Sequence, residues 1–360
     1  MLAFGCGDTS EPQNDASTRD AMPPDSNIDS GAGELDTGAL FAIMNTALPM
    51  ASNGINGVTL VVHDSDDRRI IEVSVGDFEA DRRVPIASAS KLVTGLVLLR
   101  LIDSGTLSFD DTVGEVLGWT GTPAAGATLD HLGGFVSGME PESLCLFDPT
   151  RTLQACVERL QSAPTVAAPG ERFQYGSTHQ AVAAAMAEIA SGDSWATLFE
   201  RELKSPLGLT SPELRYYTLP KEGLGDDNPL VAGGMRASAD EYMPMLAVLF
   251  HNGTHNGERV IREETIQRMG QNGYPGATID AALEASNLRY SWSSWINCEG
   301  AASPCDTITS PGGFGFTPWV DREHGYYAIL AMESDGLDGS GFALPLMEIL
   351  RPEIETLLAE

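Results

Sequence analysis

Apolar positions recur at strand period near both ends of the chain and at helical period between them. Residues Ala39 to Met50 gather apolar side chains on one face and predict an opening amphipathic helix. Gly57-Val58-Thr59-Leu60-Val61-Val62-His63 and Arg69-Ile70-Ile71-Glu72-Val73-Ser74-Val75 are β-rich runs flanking the turn Ser65-Asp66-Asp67, which predicts a hairpin. An extended stretch, Arg83-Val84-Pro85-Ile86-Ala87, then meets a long apolar helix that reaches about Ser104 and is stopped by Gly105. From 106 onward the pattern is helical patches broken by Gly and Pro loops. The clearest are the Ala-rich Gln180 to Ser191, ended by Gly192, and Ala239 to Asn252, followed by Gly253. Strand patterns return at Gly313 to Val320 and Tyr326 to Glu333. A last helix is expected over Leu344 to Leu358, with Pro352 inside or interrupting it. Strands at both ends with helices between predict an α+β fold: an antiparallel sheet flanked by helices (about 37–105 and 285–360) plus a mainly helical subdomain (about 106–284).

Composition narrows the function classes. A chain of 360 residues with 42% hydrophobic content can bury a large core. Asp and Glu outnumber Lys and Arg 51 to 21, a formal charge of −30 with no basic run, which excludes a nucleic-acid role. No apolar run is long enough to span a bilayer. Residues 1–36 differ from the rest. After Met1-Leu2-Ala3-Phe4-Gly5-Cys6 they are mostly Asp, Ser, Pro, Asn and Gly, too polar to bury a core, and read as a disordered acidic tether. Small residues before a lone early cysteine resemble the end of a bacterial lipoprotein signal. The expectation is therefore an exported protein of the periplasm or cell envelope, with a lipid on Cys6 as its membrane contact. The other four cysteines form two close pairs, Cys145/Cys156 and Cys298/Cys305, without C-x-x-C spacing or a histidine partner. Local disulfides are the economical reading and zinc is not, although four cysteines allow three connectivities.

The chemistry concentrates at Ser88-Ala89-Ser90-Lys91, where the extended stretch enters the helix. Residues i and i+3 share a helix face, so the lysine amine can reach the serine hydroxyl. Free N–H groups and the positive dipole end of the first turn favour the negative charge that a reacting serine develops. This is the S-x-x-K arrangement of serine acyl-transfer enzymes. Tyr175, in Phe173-Gln174-Tyr175-Gly176-Ser177, follows the turn Pro169-Gly170 and precedes a helix, and a phenol there can relay protons. Further segments stand out: Thr128 to Leu132 before Val136-Ser137-Gly138-Met139, Leu230 to Asp240 with its paired Gly233 and Gly234, and Ser310-Pro311-Gly312-Gly313-Phe314-Gly315-Phe316. His131, His179 and His324 read as packing or surface residues. For Trp292, Trp295 and Trp319 core packing is the default, with an apolar substrate pocket as the alternative. There is no G-x-S-x-G elbow and no H-E-x-x-H.

In this order the motifs resemble those of the serine β-lactamase and penicillin-binding superfamily over residues 37–360. The similarity is greatest to the branch of class C β-lactamases, DD-peptidases, D-aminopeptidases, nylon-oligomer hydrolases and family VIII carboxylesterases. The resemblance implies a β-lactamase/transpeptidase-like fold, Ser88 as nucleophile, Lys91 as its partner and Tyr175 as general base and acid. It implies an oxyanion hole from the backbone N–H groups of Ser88 and Ser310, and no metal or cofactor. It also assigns Ser177, Thr307, Thr309 and Gly312 to substrate binding. Two departures matter. Ser177 stands where the family commonly has asparagine, with a shorter reach toward Lys91 or a substrate carbonyl. The third motif, usually Lys-Thr-Gly or His-x-Gly, aligns with Thr307-Ile308-Thr309-Ser310. Replacing its cation by a neutral hydrogen bond costs a carboxylate-bearing substrate about 1.5–3 kcal/mol. That loss favours an uncharged ester or amide over a β-lactam. The alternatives are a β-lactamase or D-amino-acid peptidase, and a non-hydrolytic ligand-binding protein that keeps the fold.

Overall fold

A computed structural model describes residues 35–279, 288–297 and 307–359. Cys6, Cys298 and Cys305 lie outside the described residues. The compact body begins at Leu35. It is organised by an antiparallel sheet of seven described strands: β1 (Gly57–Asp64), β2 (Arg69–Gly76), β3 (Leu288–Tyr290), β4 (Trp295–Asn297), β5 (Thr307–Thr309), β6 (Thr317–Asp321) and β7 (Tyr326–Ala331), in the order β2-β1-β7-β6-β5-β4-β3. The first and last described strands of the sheet in chain order, β1 and β7, are thus neighbours inside it, apart from the hairpin partner β2 at the edge, with Val61 opposite Ile329 and Leu60 opposite Leu330.

Strand β7 is buried on both faces, so it reads as an unbroken apolar run. Tyr326, Ala328 and Leu330 pack in one core with Leu40, Met44, Leu346 and Leu350, from helices α1 (Gly38–Ala47) and α5 (Ser340–Ala359). Tyr327, Ile329 and Ala331 pack in a second core with α2 (Ser90–Asp103), α3 (Thr178–Ser191) and α4 (Ala239–Phe250). The period of two along the strand is what sends alternate side chains into the two layers. Helix α2 is buried on nearly every side, Leu92 to Leu99 included, which explains why it reads as apolar throughout rather than amphipathic.

The expected architecture is present, with local corrections. The opening helix ends at Ala47 and a 3-10 turn covers Leu48–Met50. The strand expected from Gly313 starts at Thr317. A tight turn precedes it, in which the Gly312 N–H donates to Phe316 O at 2.8 Å and Gly315 adopts φ +104°. A Cβ at Gly315 would meet Met332 Cγ at 2.4 Å. The last helix starts earlier, at Ser340, and runs unbroken through Pro345 and Pro352. The helical subdomain also carries short strands. Met235–Ala237 pairs on one side with Val84–Pro85 and on the other with Arg215–Tyr216 in a small second sheet, which clamps the residues just before Ser88. Among the described residues no helix is long and apolar enough to cross a membrane.

Cys145 and Cys156 form a disulfide, closing a loop of sequence separation 11 against helix Leu153–Leu160. The Asn228 amide also ties this loop, donating to Cys145 O at 2.8 Å and Asp148 O at 3.0 Å. Replacing both cysteines by serine should lower stability by about 2–3 kcal/mol. The change should appear as a lower urea midpoint. An unmoved midpoint would mean that the amide contacts hold the loop unaided.

Candidate active site

The Ser88 turn is built where the small sheet hands the chain to α2. The Ile86 N–H donates to Met235 O at 3.0 Å. Ala87 is then forced to φ +44°, a left-handed conformation that costs an alanine roughly 1–2 kcal/mol. Ser88 follows in the 3-10 turn Ala87–Ala89, which leads directly into α2. One turn on, Lys91 is 3% exposed. Its Nζ donates to Ser88 Oγ at 3.1 Å and to Ala232 O at 2.8 Å, and lies 4.7 Å from the centroid of the Tyr175 ring. Among the described residues no carboxylate pairs with it. The glycine-rich 230–235 segment is what supplies these acceptors. Its Val231 carbonyl takes the Thr94 hydroxyl at 2.7 Å, and the Met235 N–H donates to Ser90 Oγ at 3.1 Å.

Tyr175 is 37% exposed and reaches the site from a tightly pinned backbone. The Gln174 N–H donates to Phe135 O at 2.9 Å, and the Gln174 carbonyl lies 2.7 Å from His179 Nε2. His179 Nδ1 is 2.8 Å from Ser137 Oγ. With Nε2–H donating to the carbonyl, Nδ1 accepts from the serine hydroxyl, which fixes the neutral tautomer. Phe135 stacks on the His179 ring at 4.9 Å and lies 5.7 Å from the Tyr175 ring. Trp295 stacks on the Tyr175 ring at 5.3 Å. Gly176 allows the close pass beneath, since a Cβ there would meet Pro141 O at 2.2 Å.

Complete burial lowers the His179 pKa from 6.5 to about 4. The unfolded chain takes up a proton on this group below about pH 6.5, whereas the folded protein resists until about 4. Stability from this residue is therefore whole above 6.5 and falls by up to about 3 kcal/mol as the pH drops to 4, then levels off. His179→Gln should remove one proton's worth of that slope, measured by urea unfolding at several pH values. An unchanged slope would show that His179 is not responsible. The expectation for this histidine is a packing or surface residue. It is buried as expected, but its two ring nitrogens also orient the Tyr175 segment, and its position four residues beyond Tyr175 is the only sequence signal for that.

Ser310 completes the centre, its hydroxyl donating to the Ser88 carbonyl at 2.9 Å. Among the described residues no backbone acceptor takes the N–H of Ser88 or of Ser310. Ser88 and Tyr175 open into a cavity of about 430 Å³, whose walls include Thr307, Thr309, Trp295 and Leu344. Two residues expected to bind substrate, Ser177 and Gly312, have close partners within the fold. Ser177 does not line this cavity: its N–H and hydroxyl both donate to Glu142 Oε1, at 2.9 and 3.0 Å. Gly312 is likewise not in the wall. It permits contact instead, because a Cβ would meet Ile86 O at 2.1 Å, and this keeps the Ser310 turn against the Ser88 turn. Thr309 and Thr307 both line the cavity, with the Thr309 hydroxyl donating to Pro318 O at 2.7 Å and the Thr307 hydroxyl accepting from Arg351 Nη2 at 3.4 Å. Of the three tryptophans, Trp292 and Trp319 are core and Trp295 faces the cavity. His324 hydrogen-bonds Asp321, and His131 Nδ1 takes the Thr128 N–H at a helix start, so neither serves Ser88.

The model of the family described as Beta-lactamase matches residues 46–346. This chain belongs to that family. The beta-lactamase family member is 29% identical over 179 residues to the D-alanyl-D-alanine-carboxypeptidase/endopeptidase AmpH of Escherichia coli K12, a match covering 44% of this chain and 45% of that protein. It is 28% identical over 149 residues to penicillin-binding protein 4 of Amycolatopsis lactamdurans. The chain thus spans less than half the length of the curated relatives it matches. Among solved structures it is similar to a candidate beta-lactamase from Bacteroides dorei, with TM-score 0.75 and 26% identity over 87% of this chain and 98% of that one. EstCE1, a hydrolase with promiscuous acyltransferase activity, shares the fold at TM-score 0.69 and 18% identity, covering 90% and 99% of the two chains. The beta-lactamase-like architecture expected from the motifs is the one observed.

Proposed function

We propose that this protein is a serine hydrolase that forms an acyl-enzyme on Ser88 and acts on an uncharged carboxylic ester or amide. The reading rests on one observation, the 3.1 Å contact from Lys91 Nζ to Ser88 Oγ with the Tyr175 ring against the same amine. In the proposed reaction Ser88 Oγ attacks the carbonyl carbon while Lys91 and Tyr175 take its proton. The oxyanion forms between the N–H groups of Ser88 and Ser310, which preorganise it without reorganisation cost. Tyr175 returns the proton to the leaving alcohol or amine, and water then hydrolyses the acyl-serine. Thr307 and Thr309 in place of a cationic third motif support a neutral substrate. The likeness to AmpH supports a second reading, a D-amino-acid peptidase. Export to the cell envelope is supported by the Cys145–Cys156 disulfide, a bond that persists in oxidising compartments.

A panel of p-nitrophenyl esters, a chromogenic cephalosporin and D-amino-acid anilides tests the reading. Turnover of the esters well above the cephalosporin is expected, with a serine-directed phosphonate labelling Ser88. Faster turnover of the anilides would favour the peptidase. Inactivity on all three together with no labelling would favour a ligand-binding protein and sink the hydrolase.

A further inference from the structure

The cavity beside Ser88 is not uniform along its length. Its sheet wall is two cross-strand rows on one face: Thr309 and Trp295 nearest the nucleophile, then Thr307, Asn297 and Leu288. The rows are two residues apart, about 7 Å along the strands. The near row is fixed as the reacting end, because Ser310 follows Thr309 and holds the Ser88 carbonyl. The facing wall is one side of α5. Leu344, Met347, Glu348 and Arg351 recur there at i, i+3, i+4 and i+7, spanning about 10 Å of helix. The near end of that stripe is apolar, and Leu337, 71% exposed, extends it at the rim. The far end is charged.

The sign of the far end follows from its pairings. Arg351 Nη2 is held by Asp321 Oδ2 at 2.8 Å, with Glu355 Oε1 at 3.9 Å and Thr307 Oγ1 at 3.4 Å. Asp321 is fully buried and also accepts from His324. The arginine is thus already matched by two carboxylates. Glu348 stands beside it on the cavity wall, and among the described residues it has no ion-pair partner. Three carboxylates therefore surround one guanidinium and one imidazole, in a chain whose acidic residues outnumber its basic ones 51 to 21.

We propose that Glu348 selects a substrate with a cationic end, an ammonium group separated from the scissile carbonyl by an apolar segment of about 7–10 Å. The inference rests on the acyl-enzyme reading and names its substrate class. The apolar segment lies between Trp295 and the Leu344–Met347 face. The ammonium meets the Glu348 carboxylate beyond it, where a carboxylate-ended substrate is repelled.

The test is a set of p-nitrophenyl alkanoates of equal length ending in methyl, trimethylammonium or carboxylate. For the wild type, kcat/KM should fall in the order ammonium, methyl, carboxylate, with about a three- to fivefold step, the size expected of a partly exposed ion pair. The ammonium-to-methyl ratio should drop to about one in Glu348→Gln and invert in Glu348→Lys. It should also shrink at about 0.5 M salt, where screening lengths are a few ångströms. Glu264→Gln, an exposed carboxylate outside the cavity, should leave the ratio unchanged. A ratio of one in the wild type overturns the proposal while ester turnover leaves the hydrolase reading standing. So does an equal effect of Glu264→Gln, which would assign the preference to overall charge. Turnover of none of the three esters overturns both.

Discussion

Ser88→Ala should lower kcat/KM on the best ester by about 10⁴- to 10⁶-fold, the range expected when a covalent nucleophile is removed. The loss comes from chemistry alone. The hydroxyl accepts one hydrogen bond, from Lys91, and that amine keeps the Ala232 carbonyl. The turn itself is held by backbone contacts of Ile86 and Ala89 and by the Ser90 hydroxyl, none of which the substitution touches. The urea midpoint should therefore move by less than about 1 kcal/mol in free energy. Phosphonate labelling should vanish together with turnover. Residual turnover within tenfold of wild type would place the nucleophile elsewhere.

Lys91→Met should cost about 10²- to 10⁴-fold in kcat/KM, the range for loss of a positioned proton acceptor. Methionine keeps the buried stem packed and deletes the amine that contacts Ser88 and Ala232. Lys91→Arg separates two roles. A guanidinium keeps positive charge at the site but does not act as a neutral base, and its planar fork does not fit a pocket shaped around one amine. It should be as inactive as methionine if the amine takes the serine proton. Recovery to within a few-fold of wild type would mean that only the charge is needed, and that Tyr175 alone handles the proton.

Much of this was legible in local spacing. The pair Ser88 and Lys91 lies three residues apart at a helix start, so helix geometry alone brings them together. The hairpin of β1 and β2, the Ala-rich helix α3 and the unbroken apolar run of β7 are each legible from composition and the turn residues that bound them. Strands β3, β4 and β5 were not legible. Each is only three residues long, too short for a period to show, and their pairing with one another and with β6 is what makes them strands. Ser177 and Gly312 show the same limit at the level of single side chains. Motif position suggests contact with substrate, and it does not reveal that Ser177 bonds Glu142 or that Gly312 passes close to Ile86, 35 and 226 residues away in sequence.

The sequence by itself determined the acidic α+β character of the chain and the placing of Ser88 and Lys91 three residues apart at a helix start, because these follow from composition, period and short-range spacing. Tertiary structure alone decided that Tyr175 lies against Lys91, that His179 and Phe135 hold it there, and that Glu348 and Arg351 end the cavity. Those relations join segments far apart along the chain, and only the packing of α5, β4 and α3 around one sheet fixes the distances between them.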